Sequence, residues 1–148
     1  MKILLYDENF DNIKPYDYLS LSNQLYFNIN TYNDKLKSAI KCTIISRAYL
    51  SIFLQVRNYL KANYDNYNYY FTETNEHIYV KNFICENKVF NKYHREFIKN
   101  ILYKLKKHRF ICDYIYNKPE LEKYSKTDIQ TLLLECENVF NILKEYEN

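Results

Sequence analysis

Residues 99–114 hold the densest set of groups able to act on a charged ligand: Lys99, Tyr103, Lys106, Lys107, His108, Arg109, Asp113 and Tyr114. At helical spacing Lys99, Tyr103, Lys106 and Lys107 share one face, where amines can meet phosphates and the Tyr103 ring can stack on a base. A solvated outer face accounts for the same lysines. Arg109 and Asp113 lie four apart and can close a local ion pair, with Tyr114 anchoring the helix end. His108 and Cys112 have the spacing of a metal-ligand pair. No second pair accompanies them and Cys112 falls on an apolar stripe, so neither a metal nor another cofactor is expected. Arg47 interrupts an apolar helix and must reach solvent or an acidic group. Two arrangements stay open for it: lining one cleft with Arg109, or pairing with Asp113.

The elements that must position these groups are helices. From about Asn33 to Ala62, Leu36, Ile40, Ile44, Ala48, Ile52, Val56 and Leu60 recur every fourth residue, with Ile45, Tyr49, Phe53 and Tyr59 widening the stripe. Thr31 or Asn33 can cap this helix, and the Asn- and Tyr-rich run 63–75 ends it as a polar loop. Ile78, Val80, Phe83, Ile84 and Cys85 fit a short helix over 76–88 better than a strand. Asn91 can cap a segment reaching about Tyr116 and marked by Phe97, Ile98, Ile101, Leu102, Leu105, Arg109 and Cys112. Asn117-Lys118-Pro119 stops it. A last helix follows Ser125, which with Asp128 resembles a capping box, and carries Ile129, Leu132, Leu133, Cys136, Val139, Phe140 and Leu143. Residues 18–27 can form a further short helix, and the first five residues a strand or ordered tail. There is no internal repeat. The expected architecture is an all-α antiparallel helical bundle formed as one domain over residues 1–148.

Composition narrows the function classes. The chain of 148 residues is 47% apolar and 26% charged, with 18 Tyr and 9 Phe, enough for one moderate core. It has no glycine, which removes phosphate-cradling glycine loops, dinucleotide fingerprints and glycine-dependent hairpins. Cys42, Cys85, Cys112 and Cys136 form no CxxC pair, unlike a zinc ribbon or a disulfide scaffold. The N-terminal residues lack a signal-peptide hydrophobic region, and no run of apolar residues reaches span length, so a cytoplasmic protein with no membrane partner is expected. Net charge is only +3, but residues 35–63 hold six Lys or Arg and no acid, and residues 92–117 hold seven against two. If these two segments are neighbouring helices, they make one positive surface suited to a polyanion.

The segment Ser46-Arg47-Ala48-Tyr49-Leu50-Ser51-Ile52-Phe53, with Val56-Arg57-Asn58-Tyr59-Leu60, resembles the signature helix of HEPN domains. His77 opens a short segment at the separation seen in that family, and Leu105 to Tyr114 resembles its helix ending in Arg, a small residue, Asp and Tyr. The resemblance covers about residues 33–146, leaving 1–32 as an extension. It implies a compact α-helical bundle that dimerises, acts on RNA without a metal, and serves toxin–antitoxin or antiviral defence systems. In active relatives an Arg is followed four to six residues later by a His. The Arg holds the phosphate and the His moves the proton. Here Arg109 occupies the Arg position and Tyr114 stands where the His would be, leaving His108, His77 or a second copy of Arg109 as the remaining routes to chemistry. Two functions follow from the resemblance: an RNA-directed protein, either an atypical or a catalytically degenerate ribonuclease using Arg109, Tyr114 and His108 with Arg47, Lys99, Tyr103, Lys106 and Lys107 on the RNA; or a non-enzymatic interaction module, antitoxin-like, regulatory or inhibitory, with a protein partner from the same system.

Overall fold

The computed structural model describes residues 13–67, 76–114 and 126–147, apart from the side chains of residues 113, 114, 126 and 127. Five α-helices are present among them: α1 Pro15–Phe27, α2 Asp34–Asn63, α3 Glu76–Glu86, α4 Lys92–Tyr114 and α5 Lys126–Tyr146. There is no strand among the described residues, and the chain is all-α.

Each visible helix start has a local cause. Pro15 occupies the first turn of α1, where its missing N–H costs nothing, and the Asp17 carboxylate accepts the Lys14 N–H at 2.7 Å. α1 thus begins three residues before the helix expected from Tyr18. Asn33 caps α2, its Oδ1 accepting the Leu36 N–H at 3.0 Å. Asn91 does the same for α4 through the His94 N–H at 2.8 Å. α3 ends in a Schellman turn, in which the Val89 N–H reaches the Ile84 carbonyl and the Lys88 N–H reaches that of Cys85. Lys88 takes the left-handed position at φ 48°, and Phe90 follows at φ 64°. The expected stop at Pro119 and the Ser125 cap lie outside the described residues.

α2 is the axis of the bundle, with α1, α4 and α5 against it. Ser22 of α1 donates its hydroxyl to the Ile44 carbonyl at 2.9 Å, and Tyr18 lies beside Arg47, so α1 runs antiparallel to α2. α4 is antiparallel to α2 as well, with Phe90 just before it against Tyr59 and Arg109 near its end against Tyr49. α5 closes the bundle. Tyr16 donates to Glu137 and packs edge-on to Phe140, Lys104 meets Glu135 at 3.4 Å, and the Tyr146 hydroxyl accepts the Asn91 N–H. The expected α5 stripe is buried in full, from Ile129 through Leu143.

The α2 stripe is core only from Ile44 onward. Leu36 is 49% exposed, because the chain reverses over residues 28–33 and the first turn of α2 runs past α1. By length and apolar composition α2 is the one described helix that meets the criteria for a bilayer span, a property the residue-by-residue reading did not find. Ten of its residues, from Ile44 to Leu60, are buried against the other helices, the condition of a core helix. Ile52 is fully buried at its middle. Ile52→Ala is expected to lower unfolding free energy by about 2–5 kcal/mol, read as an earlier urea midpoint at unchanged slope.

Candidate functional site

A cavity with both an aromatic wall and cationic side chains lies where α2, α3 and α4 meet. It encloses about 220 Å³ and is lined by Tyr49 and Phe53 of α2, His77, Ile78 and Lys81 of α3, and Lys99, Leu102, Tyr103 and Lys106 of α4. Helical periodicity explains the set. Phe53 follows Tyr49 by four residues, Lys81 follows His77 by four, and Lys99, Leu102, Tyr103 and Lys106 share one face of α4.

Tyr49 forms the floor. It is 2% exposed, stacks on Phe53 at 5.8 Å between centroids, and its hydroxyl shares a hydrogen bond with His77 Nδ1. The Arg109 guanidinium lies 5.5 Å from the centre of the same ring, a cation–π contact. Burial pushes the Tyr49 phenol well above its ordinary range, against the opposing pull of Arg109. The phenol is therefore protonated at neutral pH, and its hydroxyl is bonded to the His77 ring. Burial, with the cations of Lys106 and Arg109 adding to it, pushes His77 down to about 4. Its ring is neutral at pH 7.

The rim is cationic. Lys99 lies against the Cys85 thiol and the Glu96 carboxylate, the latter at 3.3 Å, and the Cys85 contact, more than Glu96, holds the amine above its usual range against the effect of burial. Lys106 is exposed and Tyr103 is 63% exposed. Behind the floor, Arg57 meets the buried Glu76 carboxylate at 3.7 Å and ties the first turn of α3 to α2.

Of the residues singled out from the sequence, Lys99, Tyr103 and Lys106 come together at this cavity, with Arg109 behind its floor. Lys107 is exposed and is not among the lining residues. His108 faces the other way, toward the start of α5. Burial and the charges of Lys104 and Lys107 lower its pKa, while Asp128 opposes them. A pairing of His108 with the cavity is thus not what the fold provides, since residues 106 and 108 point about 200° apart around the helix. Arg47 is exposed and its guanidinium sits over Tyr18, 5.9 Å from the ring centre. It shares no cleft with Arg109, because residues 47 and 49 lie on opposite sides of α2. The side chains of Asp113 and Tyr114 lie outside the described residues, and so do the Arg109–Asp113 and Arg47–Asp113 pairings. Among the described residues no three His, Cys, Asp or Glu side chains converge as metal ligands.

Sequence reasoning passed over Lys81, and it placed Tyr49 and Phe53 in the core without seeing that they also face a cavity. The spacing of His77 and Lys81 was the available signal. The expected positive surface is also built differently. α2 brings rings to the cavity while its Arg57 is engaged with Glu76, and the third lysine, Lys81, comes from α3, which holds one lysine against two glutamates. Comparison of the chain with protein-family models, with curated proteins and with solved structures gives no match.

Because His77 ionises near pH 4 when folded and near 6.5 when unfolded, the unfolded state binds more protons between these values. Stability is therefore expected to fall as pH drops from about 6.5 to about 4. His108 shifts in the same direction, so the contribution of His77 is isolated by His77→Gln. Melting temperatures measured across this window should fall less steeply in that variant than in the parent, and equal slopes would mean that His77 titrates normally.

Proposed function

We propose that this chain is an RNA-directed, HEPN-like protein of a toxin–antitoxin or antiviral defence setting, and that it holds RNA at the cavity among α2, α3 and α4. The observation that carries this reading is the placement of three lysines, Lys81, Lys99 and Lys106, around an aromatic wall. Amines neutralise phosphates and release their counterions, while rings accept unstacked bases; a site combining both chemistries suits RNA better than a small anion or an apolar ligand. Arg109 supports the site from below by fixing the Tyr49 ring.

Binding is favoured over cleavage. A general base works best with a pKa near the working pH, and His77, near 4, is a weak acceptor for a ribose hydroxyl proton. The protein accordingly reads as a catalytically degenerate relative of a ribonuclease.

The exposed apolar edge between α1 and α5 favours a second reading, a dimerisation module. Phe27 is 86% exposed and Leu134 60%, on either side of a groove also lined by Tyr26 and Leu133. Sedimentation of the protein and of Phe27→Ser tests it: a dimer that the substitution dissociates supports this reading, and a monomer in both removes it.

For the RNA reading, purified protein is incubated with mixed RNA at low salt in the presence of EDTA. Retention without cleavage is expected, weakening as salt rises. Lys99→Ala and Lys106→Ala should each flatten the log–log salt dependence by about one unit, and Arg109→Ala should weaken retention at fixed salt. Lys35→Ala, at the far end of α2, should not. Absence of retention at low salt overturns the proposal.

A further inference from the structure

Resting on the RNA reading above, we propose that the cavity among α2, α3 and α4 is a receptor for one unpaired nucleobase of single-stranded RNA, with the phosphates on either side of that nucleotide held by the rim lysines. Size is the first support. About 220 Å³ lies below the roughly 300 Å³ at which pockets for drug-sized ligands begin, which suits a single heterocycle. The second support is the distribution of polarity. Phe53, Ile78, Leu102 and Tyr103 supply apolar and aromatic surface, and the charged groups Lys81, Lys99 and Lys106 belong to the two helices that flank the opening.

The floor limits what the base can be asked to present. The Tyr49 hydroxyl and His77 Nδ1 are bonded to each other, so the ring has one further polar atom to offer the cavity, its second nitrogen. Every nucleobase carries both donors and acceptors on its edge, so a single ring nitrogen finds a partner on any of them, and the site tolerates many sequences and selects for an unstacked base. A base inside a duplex is stacked on both faces and cannot enter without being extruded. Lys99 and Lys106, seven residues apart, have backbones about 10 Å apart along the α4 axis, room for phosphates on either side of one nucleoside.

The test uses the full chain and a nine-nucleotide uridine-rich RNA with one central 2-aminopurine, free or annealed to its complement, at low salt. With the single strand, the fluorescence of the modified base is expected to change and saturate as protein is added, and the duplex should bind at least tenfold more weakly. Tyr103→Ala should weaken single-strand binding on the order of tenfold by removing a stacking partner. Ile78 is half exposed, so Ile78→Trp can fill the cavity with little demand on the core, checked by circular dichroism. This variant should abolish the fluorescence response while salt-dependent retention by the lysines persists.

Equal binding of strand and duplex with unchanged fluorescence overturns the base receptor and leaves the RNA reading standing. Displacement of the strand by an equal concentration of adenosine 5′-monophosphate would make free nucleotide the ligand and also overturn it. No binding of either RNA removes both proposals together.

Discussion

A phenol buried to 2% exposure cannot be left without a hydrogen-bond partner, and Tyr49 organises this molecule around that requirement. An unsatisfied buried hydroxyl costs about 1–3 kcal/mol. His77 meets the need, and in doing so brings the first turn of α3 onto α2. The ring itself takes a second partner, the Arg109 guanidinium, which fixes the far part of α4. Three helices thus converge on one side chain. The same contacts withdraw water from His77 and set cations near it, so a single buried ring determines both the geometry and the charge state of the site.

The cavity lies between α4 and the side of α3 that carries Ile78 and Lys81, while the other side of α3 is packed into the core along its length through Val80, Phe83 and Ile84. Glu76 and His77 hold its first turn through Arg57 and Tyr49, and Ile84 and Val89, both fully buried, hold its last. Between those anchors Ile78 and Lys81 face Lys99, Leu102 and Lys106 of α4 across open space. Bringing the two helices closer would crowd like charges, of which Lys99 has a carboxylate close by in Glu96.

Much of the fold was legible because it rests on periodicity. The α5 stripe from Ile129 to Leu143, the Asn33 and Asn91 caps and the helical character of residues 76–86 follow from spacing and local hydrogen bonding. The errors have physical origins. Leu36 has the right spacing for core but sits beyond the end of the neighbouring helix, which no local pattern encodes. Arg47 and Arg109 were candidates for one cleft, yet the direction of a side chain around a helix decides its company, and Arg47 turns to Tyr18. Lys99, Tyr103 and Lys106 were legible as a face. That Lys81 and His77 stand opposite them depends on where α3 docks, a long-range fact. The family resemblance drew attention to His77 and Arg109, whereas their common contact with Tyr49 became visible only in three dimensions.

The turn after α3 is built without the residue that such turns favour. The left-handed position of its Schellman motif is filled by Lys88, and a second one follows at Phe90, each carrying a Cβ that costs about 1–2 kcal/mol in this conformation. The turn is held nonetheless, because Val89 is buried and Arg95 donates to the carbonyls of Val89 and Phe90. In evolutionary terms this is a reserve. A glycine at position 88 would relax the backbone without touching the cavity, and the stability released would let the lineage accept destabilising changes along the α3 and α4 rim. The strained turn thus leaves room for the neighbouring cavity to be remodelled while the bundle stays folded.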